Sequence, residues 1–211
     1  MPGGDPEKKL KPEEISLPAF WSGVSESDAE ALARQMKKRK FDASSVIAVA
    51  KRCKSGFPQV IVSSPLSLSG SPFPTLFWLT CPFLDRRCGE LEAARLIAEL
   101  EKLFAQTPEA VRKMHKDYAA LRLRAAGASL TEPMSKKAVD ALSRLGVGGI
   151  DVSVAPNAVK CLHLQTATWL GMGEHPARRW LVEKLGALEC GEARCSAKPE
   201  GVQTSGAHRI K

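Results

Sequence analysis

The chain has 211 residues, of which 44% are hydrophobic and 26% charged, and its formal net charge is +8 at pH 7. This length fits one domain with a sizeable core, and no apolar stretch approaches the roughly 18 residues of a membrane-spanning helix. The first residues lack the apolar run of a secretory signal, so the six cysteines are expected to be thiols or metal ligands of a cytoplasmic protein rather than disulfides.

The amino-terminal part of the sequence predicts a leader followed by two helices. Residues 1–24 are rich in proline, glycine and charge and are expected to form a loose leader. Ser25 and Asp28 form the pattern of a helix N-terminus, and good helix formers follow them. A second, short helix is predicted over residues 43–53, with Asp42 as its N-cap residue.

These two predicted helices carry much of the excess positive charge. The segment Arg34–Lys54 contains eight lysines and arginines and a single acidic residue, so it can neutralise the phosphates of a nucleic acid. Its only aromatic residue is Phe41, and base stacking normally needs aromatic platforms. The sequence therefore predicts weak, salt-sensitive binding to nucleic acid with little sequence preference, and a solvated helix face is the alternative.

A β-hairpin is predicted next. Residues 59–63 and 75–80 are apolar, strand-like runs, and the segment Ser64–Pro72 between them is dense in turn residues. The connecting loop is long enough to form the rim of a site.

Helical periodicity begins at Pro82 and continues through Phe104. Four further helices are predicted from capping residues and apolar faces, and they run from Pro108 toward Gly127, from Ser135 through Leu145, from Asn157 as cap to Trp169, and from Pro176 to Leu185. The glycine-rich segment Gly146–Gly149 follows a helix rather than a strand, which favours a helix end with a tight turn over a dinucleotide-binding loop.

These elements predict an α+β fold. We expect a mostly helical single domain over residues 25–190, built around a small antiparallel β-hairpin or sheet. Residues 191–211 are expected to form a polar basic tail.

Two cysteine-bearing stretches carry the candidate site. Cys81 follows a predicted strand and precedes Pro82, so it would meet the free N–H groups and positive dipole end of a helix, which favour a thiolate. Cys161 and His163 combine a thiol with an imidazole, the groups that ligate soft metals or act as nucleophile and base. We predict that the Cys81 sulfur lies close to Cys161 or His163, and that Cys81 has a lowered pKa and is the most reactive thiol. Lys160 would bind an anion at the same helix start.

The other cysteines are less informative. Cys88 aligns with the apolar face of its helix and is predicted to lie in the core. Cys190 and Cys195 are five residues apart, which is not the spacing of a zinc knuckle, so a metal site, an oxidation-sensitive pair and a structural role all stay open for them.

Four short strings resemble a bacterial domain-of-unknown-function family, the one numbered 501. They are Pro72–Pro82, Leu91-Glu92, Gly146–Gly149 and Val159–His163, and the resemblance covers roughly residues 42–185. It implies that Glu92 belongs to the site, but it names no reaction.

This chain departs from the family's pattern at two places. The resemblance implies a second histidine in many relatives where Gln165 stands, and Asn-Pro where His175-Pro176 stands. The resemblance therefore argues against a fixed zinc site built on a Cys-x-His-x-His run.

The sequence thus predicts one site with two possible chemistries. Either Cys81, Cys161 and His163 bind zinc or another soft transition metal, or a thiolate is the nucleophile, with Cys81, Glu92 and Lys160 as catalytic residues. The alternatives are a nucleic-acid-binding module that uses Arg34–Lys54 and a non-catalytic interaction protein whose Cys and His residues lie in the core.

Overall fold

The computed structural model describes residues 17–37, 42–67, 71–129, 134–192 and 195. Within these residues the chain forms a three-stranded antiparallel sheet and seven α-helices, which confirms the predicted α+β class. The strands are β1 (Val46–Arg52), β2 (Pro58–Ser63) and β3 (Phe77–Leu79). The helices are α1 (Glu26–Gln35), α2 (Pro82–Ala93), α3 (Leu96–Gln106), α4 (Pro108–Ser129), α5 (Lys136–Arg144), α6 (Leu162–Met172) and α7 (Arg178–Leu185). No helix of the described part is long and apolar enough to cross a membrane.

Strand β2 is the centre of the sheet and is buried along its whole length. It pairs with β3 through Val60 opposite Leu79 and Ile61 opposite Trp78, which confirms the predicted hairpin. Residues 68–70 of the connecting segment lie outside the described residues, so the loop's role as a rim stays a prediction.

The helix predicted over residues 43–53 is wrong, because this segment forms β1. Asp42 caps only a 3-10 turn, Ala43–Ser45. The run from Val46 to Ala50 is apolar without a clear period, and such a run does not distinguish a strand from a buried helix. Its β-branched residues pack well on a pleated surface, and pairing with β2 decides the outcome.

Part of the predicted basic segment Arg34–Lys54 lies in β1 rather than in a helix. The Arg52 guanidinium donates to the Asp28 carboxylate at 2.8 Å, so its charge is already balanced. Lys38, Arg39 and Lys40 lie outside the described residues. Nucleic-acid binding by this segment stays a prediction.

Several helix ends follow their local signals. Ser25 and Asp28 form a capping box, and Ser135 caps α5.

The continuous helix predicted from Pro82 through Phe104 is wrong, because Arg95 adopts a left-handed conformation (φ 63°) between α2 and α3. Asn157 is not the cap of α6, which begins at Leu162.

Helix α6 positions the candidate site. It packs against all three strands and against α2, and its residues 164–171 are all buried. A Cβ atom at Gly171 would lie 2.4 Å from the Phe77 ring, so glycine permits this close contact between α6 and β3. The first turn of α6 lies beside the last turns of α2, where Glu92 lies.

Candidate functional site

Two side chains cap the N-terminus of α6. Cys161 is the N-cap residue in an extended conformation (φ −166°, ψ 158°), and its sulfur accepts the N–H of Leu164 at 3.4 Å. Glu92 of α2 accepts the N–H of Leu162 with Oε1 at 2.6 Å. Because Cys161 precedes the helix, it need not point away from His163, although residues two apart on an ideal helix are about 200° apart.

The imidazole of His163 lies between two acidic residues. Its Nδ1 is 2.9 Å from Glu92 Oε1, and its Nε2 is 3.0 Å from the carbonyl oxygen of Asp85 and 3.2 Å from Asp85 Oδ1. Both ring nitrogens thus face acceptors, and only the imidazolium donates from both. The hydrogen bond with Cys161 and the interactions with both carboxylates raise the pKa of His163 to about 9, although burial opposes this.

Three potential metal ligands converge here. One carboxylate oxygen of Glu92, the sulfur of Cys161 and one ring nitrogen of His163 all lie within 4.8 Å of one another, and all three residues are half-buried. Among the described residues this is the one group of three or more such ligands. The structure therefore brings together three of the predicted site residues.

A pocket of about 370 Å³ lies over Cys161 and His163. Trp78 forms part of one wall, and Lys160 lies on another, with its Nζ donating to the carbonyl oxygen of Gly148 at 2.6 Å.

The glycine-rich segment shapes this pocket. Residues Val147–Gly149 form a 3-10 turn after α5, as predicted. Gly148 has φ 64°, and a Cβ atom there would lie 2.2 Å from Leu164. Glycine thus lets this turn approach the first turn of α6, because it adopts positive φ without strain.

Cys81 is not a member of this group of ligands. It is the N-cap residue of α2, as predicted, but only 4% of it is exposed. Burial raises the pKa of its thiol, and the opposing effect of the N–H groups of Leu84 and Phe83 is smaller. The predicted lowered pKa is therefore wrong, because desolvation exceeds the effect of the helix N-terminus.

Cys88 lies in the core, as predicted. It is fully buried, its thiol lies 3.4 Å from the Thr166 hydroxyl, and burial raises its pKa to about 12.

Asp85 contacts His163 but was not predicted as a site residue. Asp85 and Glu92 are seven residues apart, or about two helical turns, so they lie on the same face of α2. This spacing could have identified Asp85 as a neighbour of Glu92 from the sequence.

Gln165 and His175 contact each other. Gln165 accepts the Nε2–H of His175 at 2.9 Å, and His175 Nδ1 accepts the N–H of Ala177. Burial lowers the pKa of His175 to about 3, so this imidazole is neutral. Gln165 is thus committed to a buried hydrogen bond away from the three ligands.

Comparison with known proteins gives a family and no closer relative. The family model described as "Protein of unknown function (DUF501)" matches residues 49–183, a range that contains the whole group of three ligands and Lys160. No curated protein and no solved structure matches the chain.

Proposed function

The chain belongs to the DUF501 family, and we propose that its function depends on a mononuclear metal centre formed by Glu92, Cys161 and His163. The observation that carries this proposal is the convergence of an oxygen, a sulfur and a nitrogen ligand within 4.8 Å at the edge of a pocket. Zinc accepts all three ligand types, so it is the metal we expect.

The surroundings of the three ligands support a metal. The ligand atoms are oriented by further hydrogen bonds: Leu162 N–H to Glu92, Leu164 N–H to Cys161, and Nε2 of His163 to Asp85. Such outer contacts accompany nearly all metal-binding histidines and fix ligand orientation. The site already holds the positive charge of an imidazolium between acidic groups, and a metal bound at Nδ1 would take the place of that proton.

Three protein ligands leave one position of a tetrahedral ion open. Catalytic zinc sites have this arrangement, whereas structural sites use four protein ligands. We therefore propose an enzyme whose metal polarises a water molecule or a substrate oxygen in the pocket. Lys160 would attract an anionic group of the substrate, and Trp78 would contact its apolar part. All six cysteines are free thiols, which fits the reducing cytoplasm proposed for this protein.

Metal analysis of untagged protein tests the proposal. We expect one equivalent of zinc or cobalt to be lost in Cys161→Ser and in His163→Gln. Glu90→Gln is the matched control, because Glu90 lies on α2 and pairs with Arg87 at the surface. Cobalt-substituted protein should change its visible spectrum when azide enters the open position. Metal content equal to wild type in both ligand variants would overturn the proposal.

A second candidate is thiol chemistry at Cys161. The observation in its favour is that this half-buried sulfur accepts the Leu164 N–H beside the imidazole of His163, so a nucleophile and a base lie next to each other. Protein that binds no metal, but loses activity when Cys161 alone is alkylated, would support this candidate instead.

A further inference from the structure

Four cysteines outside this centre lie at one end of the sheet. Cys53 directly follows the last residue of β1, and one residue separates Cys81 from the end of β3. Because β1 and β3 are both antiparallel to β2, these ends meet beside the start of β2. The N–H of Cys81 donates to the carbonyl oxygen of Gln59 there, at 3.3 Å.

The segment after α7 brings two more cysteines to the same end. Gln59 donates through Nε2 to the carbonyl oxygen of Leu188 at 2.8 Å, and the N–H of Lys54 donates to Glu189 at 3.0 Å. These contacts place Cys190 next to the turn that contains Cys53.

Cys195 is held by Gln35. The side-chain Nε2 of Gln35 lies 2.9 Å from the carbonyl oxygen of Pro58, the first residue of β2, and 3.2 Å from the Cys195 sulfur. One amide group thus connects the sheet end to the last of the four cysteines.

The four thiols are close enough to interact electrostatically. Cys195 interacts with Cys53 and Cys190, and Cys81 interacts with Cys190 and Cys195. Burial raises the pKa of both Cys81 and Cys195, and repulsion from the neighbouring thiols adds to this effect. A bound cation would remove that repulsion.

We propose that Cys53, Cys81, Cys190 and Cys195 form a second metal site, which binds one Zn²⁺ or Cd²⁺ ion through four thiolates. Four cysteine ligands are typical of structural zinc, and Cys81 is buried while the other three are half-buried, as in a closed site. Cys190 and Cys195 lie outside the family match of residues 49–183, so the site would be a property of this chain rather than of its family.

The site would assemble on binding. Of the described residues, only Glu92, Cys161 and His163 form a group of three whose ligand atoms all lie within 4.8 Å of one another, so the four sulfurs must move to reach metal–sulfur distances of about 2.3 Å. Cys53 and Cys190 lie outside helices and strands, which allows that movement. Metal binding would then fasten Cys190 and Cys195 to the end of the sheet, because ligand binding and local folding are coupled.

A cadmium titration of the full chain tests this inference. The protein is kept reduced and carries Cys161→Ser, so that the first centre has no thiolate and the two proposals fail independently. Sulfur-to-cadmium charge-transfer absorption counts bound thiolates. We expect saturation at one equivalent, and we expect Cys190→Ser and Cys195→Ser each to remove roughly one quarter of the signal, since each removes one of four ligands.

Cys88→Ser is the control and should leave the signal unchanged, because Cys88 is buried against Thr166. A signal unaffected by both Cys190→Ser and Cys195→Ser would overturn the inference. So would a disulfide between these two cysteines that persists under the reducing conditions of the titration, because neither sulfur would then be a ligand.

Discussion

Glu92 has two roles, as a cap of α6 and as a charged ligand of the proposed centre, and two substitutions can distinguish them. Its Oε1 accepts the N–H of Leu162 at 2.6 Å and lies 2.9 Å from Nδ1 of His163, so it both caps α6 and contributes charge to the proposed centre. Glu92→Gln keeps an acceptor for Leu162 and removes the charge, whereas Glu92→Ala removes both.

The expected magnitudes follow from these contacts. A hydrogen bond to a charged group contributes about 1.5–3 kcal/mol and a neutral one about 1 kcal/mol, so we expect Glu92→Gln to lower the free energy of unfolding by about 1 kcal/mol. Glu92→Ala also loses the cap, which contributes about 1 kcal/mol, so it should cost about 2–3 kcal/mol. The side chain is 24% exposed, which favours the lower end of this range.

Urea denaturation of chelated protein measures the stabilities, and competition with a chromophoric chelator measures zinc affinity. Both substitutions should weaken zinc binding by about tenfold or more, because both remove the carboxylate ligand. Glu90→Gln should change neither quantity. Wild-type zinc affinity in Glu92→Gln would refute Glu92 as a ligand, and equal stabilities of Glu92→Gln and Glu92→Ala would refute its capping role.

Three further predictions concern acid stability, thiol reactivity and nucleic acid. Hydrogen bonds from Arg52 and Ser25 lower the pKa of Asp28 from 3.8 to about 2. Because the folded pKa is depressed, we expect Asp28 to contribute about 2 kcal/mol above pH 4 and to lose this contribution as the pH falls to about 2; urea midpoints of Asp28→Asn that depend on pH as wild type does would contradict this. In chelated protein at pH 7, iodoacetamide should modify half-exposed Cys161 before Cys81 and Cys88, whose pKa values burial raises, and mass spectrometry that finds Cys88 first would refute the assignment. In fluorescence anisotropy, the protein should bind RNA or DNA weakly, and this binding should disappear at high salt. Tight binding at high salt that distinguishes one sequence from another would contradict the prediction of weak, non-specific binding by the basic segment.

Elements with local signals were predictable from the sequence. Ser135 and Thr107-Pro108 mark helix starts through their own side-chain and backbone chemistry, and the structure has α5 and α4 there. Strand β1 was not predictable in this way, because Val46–Ala50 is an apolar run whose conformation depends on pairing with β2, a contact between different parts of the chain.

The candidate site was predictable as a set of residue types, but not as a geometry. Cys161 and His163 come together because Cys161 precedes α6 in an extended conformation, and Asn157 had suggested an earlier helix start. The role of Glu92 came from the family resemblance. Its contact with α6 depends on how α2 packs against that helix, which no local pattern specifies.

The length of α2 explains why Cys81 and Glu92 belong to different sites. Cys81 is the N-cap residue of this helix and Glu92 lies in its last turn, so the two are eleven residues, or about 16 Å, apart along the axis at 1.5 Å per residue. Two ligands of one zinc ion, each about 2.0–2.3 Å from it, cannot span that distance. His163 contacts Glu92 in the last turn of α2 and Asp85 in its first turn, whereas Cys81 precedes the helix and its N–H donates to Gln59 of β2. One rigid helix thus connects the two proposed metal sites, and it fixes the position of one ligand of each.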